Sequence, residues 1–118
     1  MDVILNIGLA REGNSNIGQG TVLREVIASF GAAAVTFKRS DTEVTAVCCV
    51  EGFNPGHLRQ QVEFLARLLG QDCIAVYEPK LGAGQLIGPR AEKWGTFNPE
   101  FFVMPDGSRL AQPVAQAA

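Results

Sequence analysis

Residues 33–50, AAVTFKRSDTEVTAVCCV, form the stretch of this chain that decides its fold. They contain two β-rich runs, 33–39 and 43–50, joined by the short polar link Ser-Asp-Thr at 40–42. Two such runs separated by a short polar link predict an antiparallel hairpin. The second run first alternates polar and apolar side chains and then becomes wholly apolar, which is typical of a central strand covered by helices.

An amphipathic helix is predicted on each side of this hairpin. Residues 21–30 carry apolar side chains at helical spacing, and Gly31 follows where a glycine commonly ends a helix. Residues 55–69 repeat the pattern after Asn54, which is expected to cap the helix because a proline occupies the next position. Two further β-rich runs complete the set of elements, at residues 3–9 and 73–78.

The resulting order, β-α-β-β-α-β, predicts an α+β fold of the ferredoxin-like type. Four antiparallel strands would then carry both helices on one face. The opposite face of the sheet would have to be covered by another part of the chain. We expect an aromatic- and glycine-rich C-terminal extension to cover it. We therefore expect one domain over residues 1–110, followed by a frayed tail over residues 111–118.

Composition narrows the class of protein. The chain has 118 residues and a net charge of −2, with 47% hydrophobic and 19% charged residues, so one ordinary domain is expected. This charge gives no long-range attraction to nucleic acid or to an anionic membrane. The N-terminus lacks a basic region, and no run approaches the ~20 apolar residues that span a bilayer. A cytoplasmic location is predicted.

The residues give little sign of catalysis or of a bound cofactor. Cys48, Cys49 and Cys73 are odd in number and contain no CxxC pair, and His57 is the one histidine, so no metal site is expected. No Ser-His-Asp or Cys-His arrangement is evident. We therefore predict a protein that is not an enzyme. The alternative is a small enzyme with its site on the open sheet face, using Cys49 or Glu78.

The most distinctive chemistry lies in residues 78–102, EPKLGAGQLIGPRAEKWGTFNPEFF. Three cations, Lys80, Arg90 and Lys93, accompany several glycines, and four of the chain's nine aromatic residues fall within residues 94–102. A flexible backbone, positive charge and flat aromatic faces suit an anionic, ring-bearing ligand. Within residues 80–93, three positive charges against the one negative charge of Glu92 support this interpretation in an otherwise acidic chain.

Each of these features also has an ordinary structural explanation. The four aromatic residues fit a small core under the open sheet face better than a ring-stacking platform, with Trp94 or Phe97 left for a ligand. Asn98 before a proline is expected to be a helix cap. Residues 82–84 favour a hairpin turn, which leads into a short strand expected at residues 85–87, over a ligand loop. Residues 11–20 favour an ordinary loop over a phosphate cradle, since no phosphate-binding fingerprint is present.

A resemblance points to one kind of ligand. Residues 71–102, QDCIAVYEPKLGAGQLIGPRAEKWGTFNPEFF, resemble small phage and prophage proteins, and among these they are most similar to the phage Thoeris anti-defence family. That family sequesters cyclic ADP-ribose-type messengers. The resemblance implies a homo-oligomer that closes over a nucleotide-derived signal, with an aromatic ring on the base and arginines on the phosphates.

The function predicted from these observations is non-catalytic binding and sequestration of a small nucleotide-derived signalling molecule. Neither nucleic acid nor a membrane is expected as a partner, and no cofactor is expected. A small-metabolite-binding regulatory module is the alternative among binding proteins. The predicted ligand-binding residues are Arg90, Lys93, Trp94, Phe97, Asn98 and Arg109.

Overall fold

The structure, a computed structural model, describes residues 2–9, 18–31, 33–39, 43–52, 54–110 and 115–116. Within these residues, six strands and two α-helices follow one another as β1 (Val3–Gly8), α1 (Gln19–Phe30), β2 (Ala33–Arg39), β3 (Val44–Val50), α2 (Leu58–Leu68), β4 (Ile74–Glu78), β5 (Ala83–Ile87) and β6 (Ala115–Gln116). Three short 3-10 turns accompany them, at Pro55–His57, Ala91–Trp94 and Pro99–Phe101. The protein is therefore of the α+β class.

The strands form one sheet in the order β2-β3-β1-β4-β5-β6. Neighbouring strands from β2 to β5 are antiparallel, whereas the short β6 runs parallel to β5. The predicted hairpin of β2 and β3 is confirmed, with Ala33 opposite Val50 and Arg39 opposite Val44. Its link, residues 40–42, lies outside the described residues.

Both predicted helices are present, with shifted boundaries. The first, α1, begins at Gln19, two residues before the predicted start, and its C-terminal Gly31 has a φ of 75° and donates its N–H to the Ile27 carbonyl. Asn54 caps as predicted, because its side chain accepts a hydrogen bond from the Gly56 N–H at 2.9 Å. The turn that it opens is a 3-10 turn, and α2 begins only at Leu58.

The main core lies between the sheet and the helices. Alternate residues of the strands face the helices, as period-two side-chain alternation requires. Strands β1, β3 and β4 supply this core through every second side chain, and each helix through one buried stripe. The buried members are Val3, Leu5, Ile7, Leu9, Val22, Val26, Ala46, Cys48, Val50, Leu58, Val62, Leu65, Ala66, Leu69, Ile74, Val76 and Ile87.

A second, smaller core lies on the opposite face of the sheet. Tyr77 from β4 contacts Phe97 and Phe102, whose ring centroids lie 5.2 Å apart. Of the four aromatic residues expected to build this core, Phe97 and Phe102 do so. Trp94 and Phe101 do not, because both remain substantially exposed.

Two details at the C-terminal end differ from the predicted boundaries. The strand expected at residues 85–87 begins two residues earlier, at Ala83. From the tail expected to fray over residues 111–118, Ala115 donates its N–H to the Gly82 carbonyl at 3.0 Å and starts β6. Residues 111–114 and 117–118 lie outside the described residues. Within the described part of the chain, no helix has the length and apolarity needed to cross a membrane.

Candidate ligand-binding site

A cavity of about 1000 Å³ lies between the helix-free face of the sheet and residues 94–102. We call it the sheet cavity. Its floor is formed by side chains and backbone of four neighbouring strands, because Gly8 lies opposite Thr45 and Ala75 lies opposite both Asn6 and Leu86. The lining residues are Asn6, Gly8, Glu43, Thr45, Gln71, Cys73, Ala75, Leu86, Trp94, Thr96, Phe97, Asn98, Pro99, Phe101 and Phe102.

The wall opposite the sheet carries two accessible aromatic rings. Trp94 is 39% exposed and Phe101 is 71% exposed, so both lie where the cavity opens to solvent. Asn98 shapes the backbone between them. Its side-chain oxygen accepts a hydrogen bond from the Glu100 N–H at 3.0 Å, which starts the 3-10 turn Pro99–Phe101. The predicted capping role of Asn98 is thereby confirmed.

Phe97 is fixed in place by a glycine in the strand beneath it. A Cβ atom added to Gly84 would lie 2.5 Å from two carbons of the Phe97 ring, closer than any real contact. Only glycine lets the ring lie against the β5 backbone at this point. Phe97 is 3% exposed and also contacts Tyr77 and Phe102, so it acts as a fixed wall of the cavity.

Asn6 attaches residues 94–103, which cover the sheet cavity, to the centre of the sheet. We call these residues the covering segment. Its side-chain oxygen accepts a hydrogen bond from the Val103 N–H at 2.7 Å, and its Nδ2 donates to the Val103 carbonyl at 2.9 Å. Val103 is buried, so these two bonds satisfy both of its backbone polar groups away from water. The polar residue in the middle of the apolar strand β1 therefore has a structural role, and it also lines the cavity floor.

A charged cluster borders the sheet cavity at the start of β4. The Asp72 carboxylate accepts a hydrogen bond from Trp94 Nε1 at 3.1 Å. It also lies 3.7 Å from Arg90 Nε and 3.6 Å from Lys93 Nζ. The hydrogen bond from Trp94, followed by the charges of Lys93 and Arg90, holds the pKa of the Asp72 carboxyl below its usual range. We call these four residues the Asp72 cluster.

Backbone contacts also hold the Asp72 cluster together. The Arg90 N–H donates to the Asp72 carbonyl at 2.9 Å. A Cβ atom on Gly88 would lie 2.4 Å from that carbonyl oxygen and 2.5 Å from the Cys73 Cα. The chain leaving β5 therefore crosses directly over the start of β4, which places the turn Ala91–Trp94 at the edge of the cavity.

The structure brings five of the six predicted site residues to the sheet cavity or to its edge. Trp94, Phe97 and Asn98 line the sheet cavity. Arg90 and Lys93 lie beside it in the Asp72 cluster, with side chains 66% and 56% exposed.

The sixth, Arg109, is engaged elsewhere and is not a lining residue. Its Nη1 donates to the Phe101 carbonyl at 2.9 Å. Arg109 thus supports the backbone that carries the exposed Phe101 ring, and no contact in the described part of the chain joins it to the two other predicted cations.

The local charge differs from the sum taken along the sequence. Lys80 lies in the turn between β4 and β5, at the far end of strands about 16 Å long, so it does not join Arg90 and Lys93. Asp72 contributes instead a carboxylate from outside the stretch that was summed. Arg90, Lys93 and Asp72 together carry one net positive charge.

Sequence reasoning missed the polar residues that come from other strands. Asp72, Gln71, Glu43 and Thr45 lie at strand starts and belong to no motif. The one usable signal is shared by Asp72 and Glu43, which are acidic residues just before a strand. Asn6 had a clearer signal, because it interrupts an otherwise apolar run. Their convergence depends on the pairing of β3, β1 and β4, which single positions do not encode.

The two residues of the enzyme alternative do not line the sheet cavity. Burial, and then the charge of Glu51, raises the pKa of the Cys49 thiol, which disfavours the reactive thiolate. Burial likewise raises the pKa of Cys48 to about 12. Glu78 ends β4 opposite Ala83, at the far end of the sheet from the Asp72 cluster. In the described ranges, no three His, Cys, Asp or Glu side chains are grouped as metal ligands.

Comparison with known proteins identified no relative of this chain. The chain matches no family model, no curated protein and no solved structure. The functional interpretation therefore depends on the geometry of the sheet cavity and the Asp72 cluster.

Proposed function

We propose that this protein binds a small ligand with a planar ring and an anionic group, reversibly and without converting it. The observation that carries the proposal is the sheet cavity, which opens between two exposed aromatic rings, Trp94 and Phe101, beside the cations of the Asp72 cluster. A pocket of about 1000 Å³ lies at the upper end of the range typical of small-molecule sites, about 300–1,000 Å³.

The ring of the ligand is assigned to the cavity opening. Trp94 and Phe101 offer aromatic faces there, and stacking of a base on an aromatic side chain is worth about 1–3 kcal/mol. The hydrogen bond from Trp94 to Asp72 fixes the indole, so little side-chain freedom is lost on binding. Deeper in the cavity, Thr45 and Leu86 provide a mixed polar and apolar floor.

The anionic group is assigned to Arg90 and Lys93. Both side chains are more than half exposed, and their distances of 3.7 and 3.6 Å to Asp72 exceed those of a tight ion pair. A guanidinium carries five N–H donors, and the contact of Arg90 with Asp72 is made by its Nε. Both cations are therefore placed to donate to a phosphate that approaches from solvent.

The resemblance of residues 71–102 to the Thoeris anti-defence family suggests a more specific form of this activity. In that form the ligand is a nucleotide-derived signal, which a homo-oligomer sequesters in the cytoplasm of a phage-infected cell. Sequestration requires binding alone. The raised thiol pKa of Cys49 and the remoteness of Glu78 from the cavity agree with a site that does not transform its ligand.

Calorimetry with matched variants tests the proposal. Small molecules released from the purified protein by heat are identified by mass spectrometry and titrated back. Because a charge-assisted hydrogen bond contributes about 1.5–3 kcal/mol, Arg90→Ala is expected to weaken binding roughly ten- to a hundredfold. Loss of a stacking ring in Trp94→Ala is expected to cost about 1–3 kcal/mol.

Two substitutions in the turn between β4 and β5 serve as controls, since that turn lies at the opposite end of the sheet. Lys80→Ala removes a cation and Leu81→Ala an exposed apolar side chain, and neither is expected to change the affinity. Unaltered affinity in folded Arg90→Ala and Trp94→Ala would contradict the proposed site. A ligand recovered in cleaved form would show instead that the protein is an enzyme.

We also infer that the scaffold of this site is a ferredoxin-like domain with a C-terminal extension. The order β2-β3-β1-β4, the antiparallel pairing and the helices on one face support this assignment. In this view β5, β6 and the segment that covers the cavity are additions to the motif. The binding site would then belong to the extension more than to the motif itself.

A further inference from the structure

Asp72 contacts three predicted ligand-binding residues at once. Its carboxylate accepts from the Trp94 indole and lies between the charged ends of Arg90 and Lys93. Its own side chain is 10% exposed, whereas the two cations are more than half exposed. A negative charge is thus fixed on the inner side of the two cations, while their outer side faces solvent.

We propose that Asp72 is the specificity-determining residue that limits how much negative charge a ligand of this site can carry. This inference rests on the proposed function, since it assumes that Arg90 and Lys93 bind the anionic group. Asp72 holds Trp94 and the two cations in position, and its carboxylate repels any anion that comes to share those cations. The same residue therefore organises the site and weakens its attraction for anions.

The repulsion has a signature that a purely structural role would not produce. Coulomb energy is proportional to the product of the two charges. Removing the Asp72 charge should leave the affinity for a neutral ligand unchanged and raise that for a monoanion by some factor. The affinity for a dianion should then rise by the square of that factor. A residue that only held the site together would weaken binding of all three.

Asp72→Asn is the informative variant because an asparagine oxygen can still accept the Trp94 N–H. Trp94 is the one tryptophan of the chain, so its fluorescence reports directly on the cluster. At low ionic strength, we expect the variant to raise the quenching constant of iodide by about twofold, and to leave that of neutral acrylamide unchanged.

The control is Asp106→Asn. Asp106 lies in a different turn, where its carboxylate accepts hydrogen bonds from the Ser108 N–H at 2.9 Å and hydroxyl at 2.6 Å. Asp106→Asn should leave the iodide and acrylamide quenching constants as they are in the unsubstituted protein. An unchanged iodide constant in Asp72→Asn would overturn the inference. A parallel rise for iodide and acrylamide would also overturn it, because it would show that Trp94 had only been loosened.

Binding of defined probes completes the test. Adenosine, adenosine 3′,5′-cyclic monophosphate and AMP carry no charge, one charge and between one and two charges at neutral pH. We expect Asp72→Asn to bind adenosine as before, the cyclic nucleotide about twofold more tightly and AMP up to about fourfold more tightly. Equal affinities of the variant and the unsubstituted protein for AMP would contradict the inference.

The two proposals fail in different ways. If none of the three probes and no released molecule binds, the proposed function fails, and the iodide measurement still decides the electrostatic role of Asp72. In the other case, ligand affinity falls in the Arg90 and Trp94 variants while the iodide quenching constant is the same with and without the Asp72 charge. The proposed function is then supported and the inference about Asp72 is contradicted.

Discussion

At the scale of single residues, the site depends on close contacts that leave no room for a side chain. Gly84 is the clearest case, because the Phe97 ring occupies the space of its missing Cβ. An aromatic residue thirteen positions later in the sequence therefore requires a glycine at position 84. A contact of this kind links the geometry of β5 to the wall of the sheet cavity.

Gly84→Ala is expected to destabilise the protein by about 1–3 kcal/mol, since overpacking forces a buried ring or the strand to move. Urea unfolding followed by circular dichroism measures the change. Gly20→Ala is the matched control. Gly20 lies in α1 with no atom within 4 Å of the added Cβ, so alanine should be neutral or stabilising there, by about 0.4–1 kcal/mol. Similar losses in both variants would refute the proposed constraint from Phe97.

Residue-level predictions from sequence succeeded where the chemistry is local. Asn54 and Asn98 were identified as caps because a capping side chain bonds to a backbone N–H two residues away. Asp72 was not identified, since its partners lie 18 to 22 positions further along the chain. The sequence therefore revealed the cations and the tryptophan but not the carboxylate that holds them together.

At the scale of elements, one side chain ties the cover of the sheet cavity to β1. The two hydrogen bonds between Asn6 and the backbone of Val103 join positions 97 residues apart. Because Val103 is buried, loss of the Asn6 amide would leave a backbone donor and an acceptor without their partner. The attachment of the covering segment is thus expected to be sensitive to this single position.

Asn6→Ala is expected to lower the free energy of unfolding by about 2–6 kcal/mol, from two unsatisfied backbone groups at about 1–3 kcal/mol each. Hydrogen exchange at the Val103 amide should accelerate in the same variant. Asn54→Ala provides the comparison, since it removes one exposed capping bond and should cost about 1 kcal/mol. Equal stability losses for the two substitutions would count against the special role of Asn6.

Most elements could be predicted because their patterns are short-range. The hairpin of β2 and β3, both helices and strands β1 and β4 follow from periodicity and capping residues. Strand β6 could not be predicted, because its two residues lie in a tail of small residues that shows no hydrophobic pattern. The extent of β5 was underestimated because Gly84 is a poor strand former, and only the ring of Phe97 explains its place there.

At the scale of the whole molecule, the sheet separates a helical layer from the candidate site. The chain comes back to the site because β5 runs antiparallel to β4 and ends beside the start of that strand. Residues 82–84 and 90–94 consequently lie at opposite ends of the sheet. This return brings residues 90–94 to the end of the sheet where β1 ends and β4 begins. Residues 11–17 of the loop expected at residues 11–20 lie outside the described residues.

Large apolar side chains also remain exposed on the helical layer. Leu23 and Ile27 of α1 are 40% and 46% exposed, and Phe64 and Leu68 of α2 are 60% and 50% exposed. In each helix the two residues are four positions apart and therefore lie on one side of it. Strand β2 pairs only with β3 among the described residues, so its outer edge is a second place for association.

We propose that these surfaces are covered by a second copy of the chain, and we expect sedimentation velocity at micromolar concentration to report a dimer or a multiple of one. Phe64→Glu should shift the protein toward the monomer if the helical layer forms the contact, because the glutamate would have to lose its hydration there. Phe101→Glu is the matched control, since Phe101 is an exposed phenylalanine at the sheet cavity. A monomeric unsubstituted protein would contradict self-association, and a shift caused by Phe101→Glu alone would place the contact over the cavity.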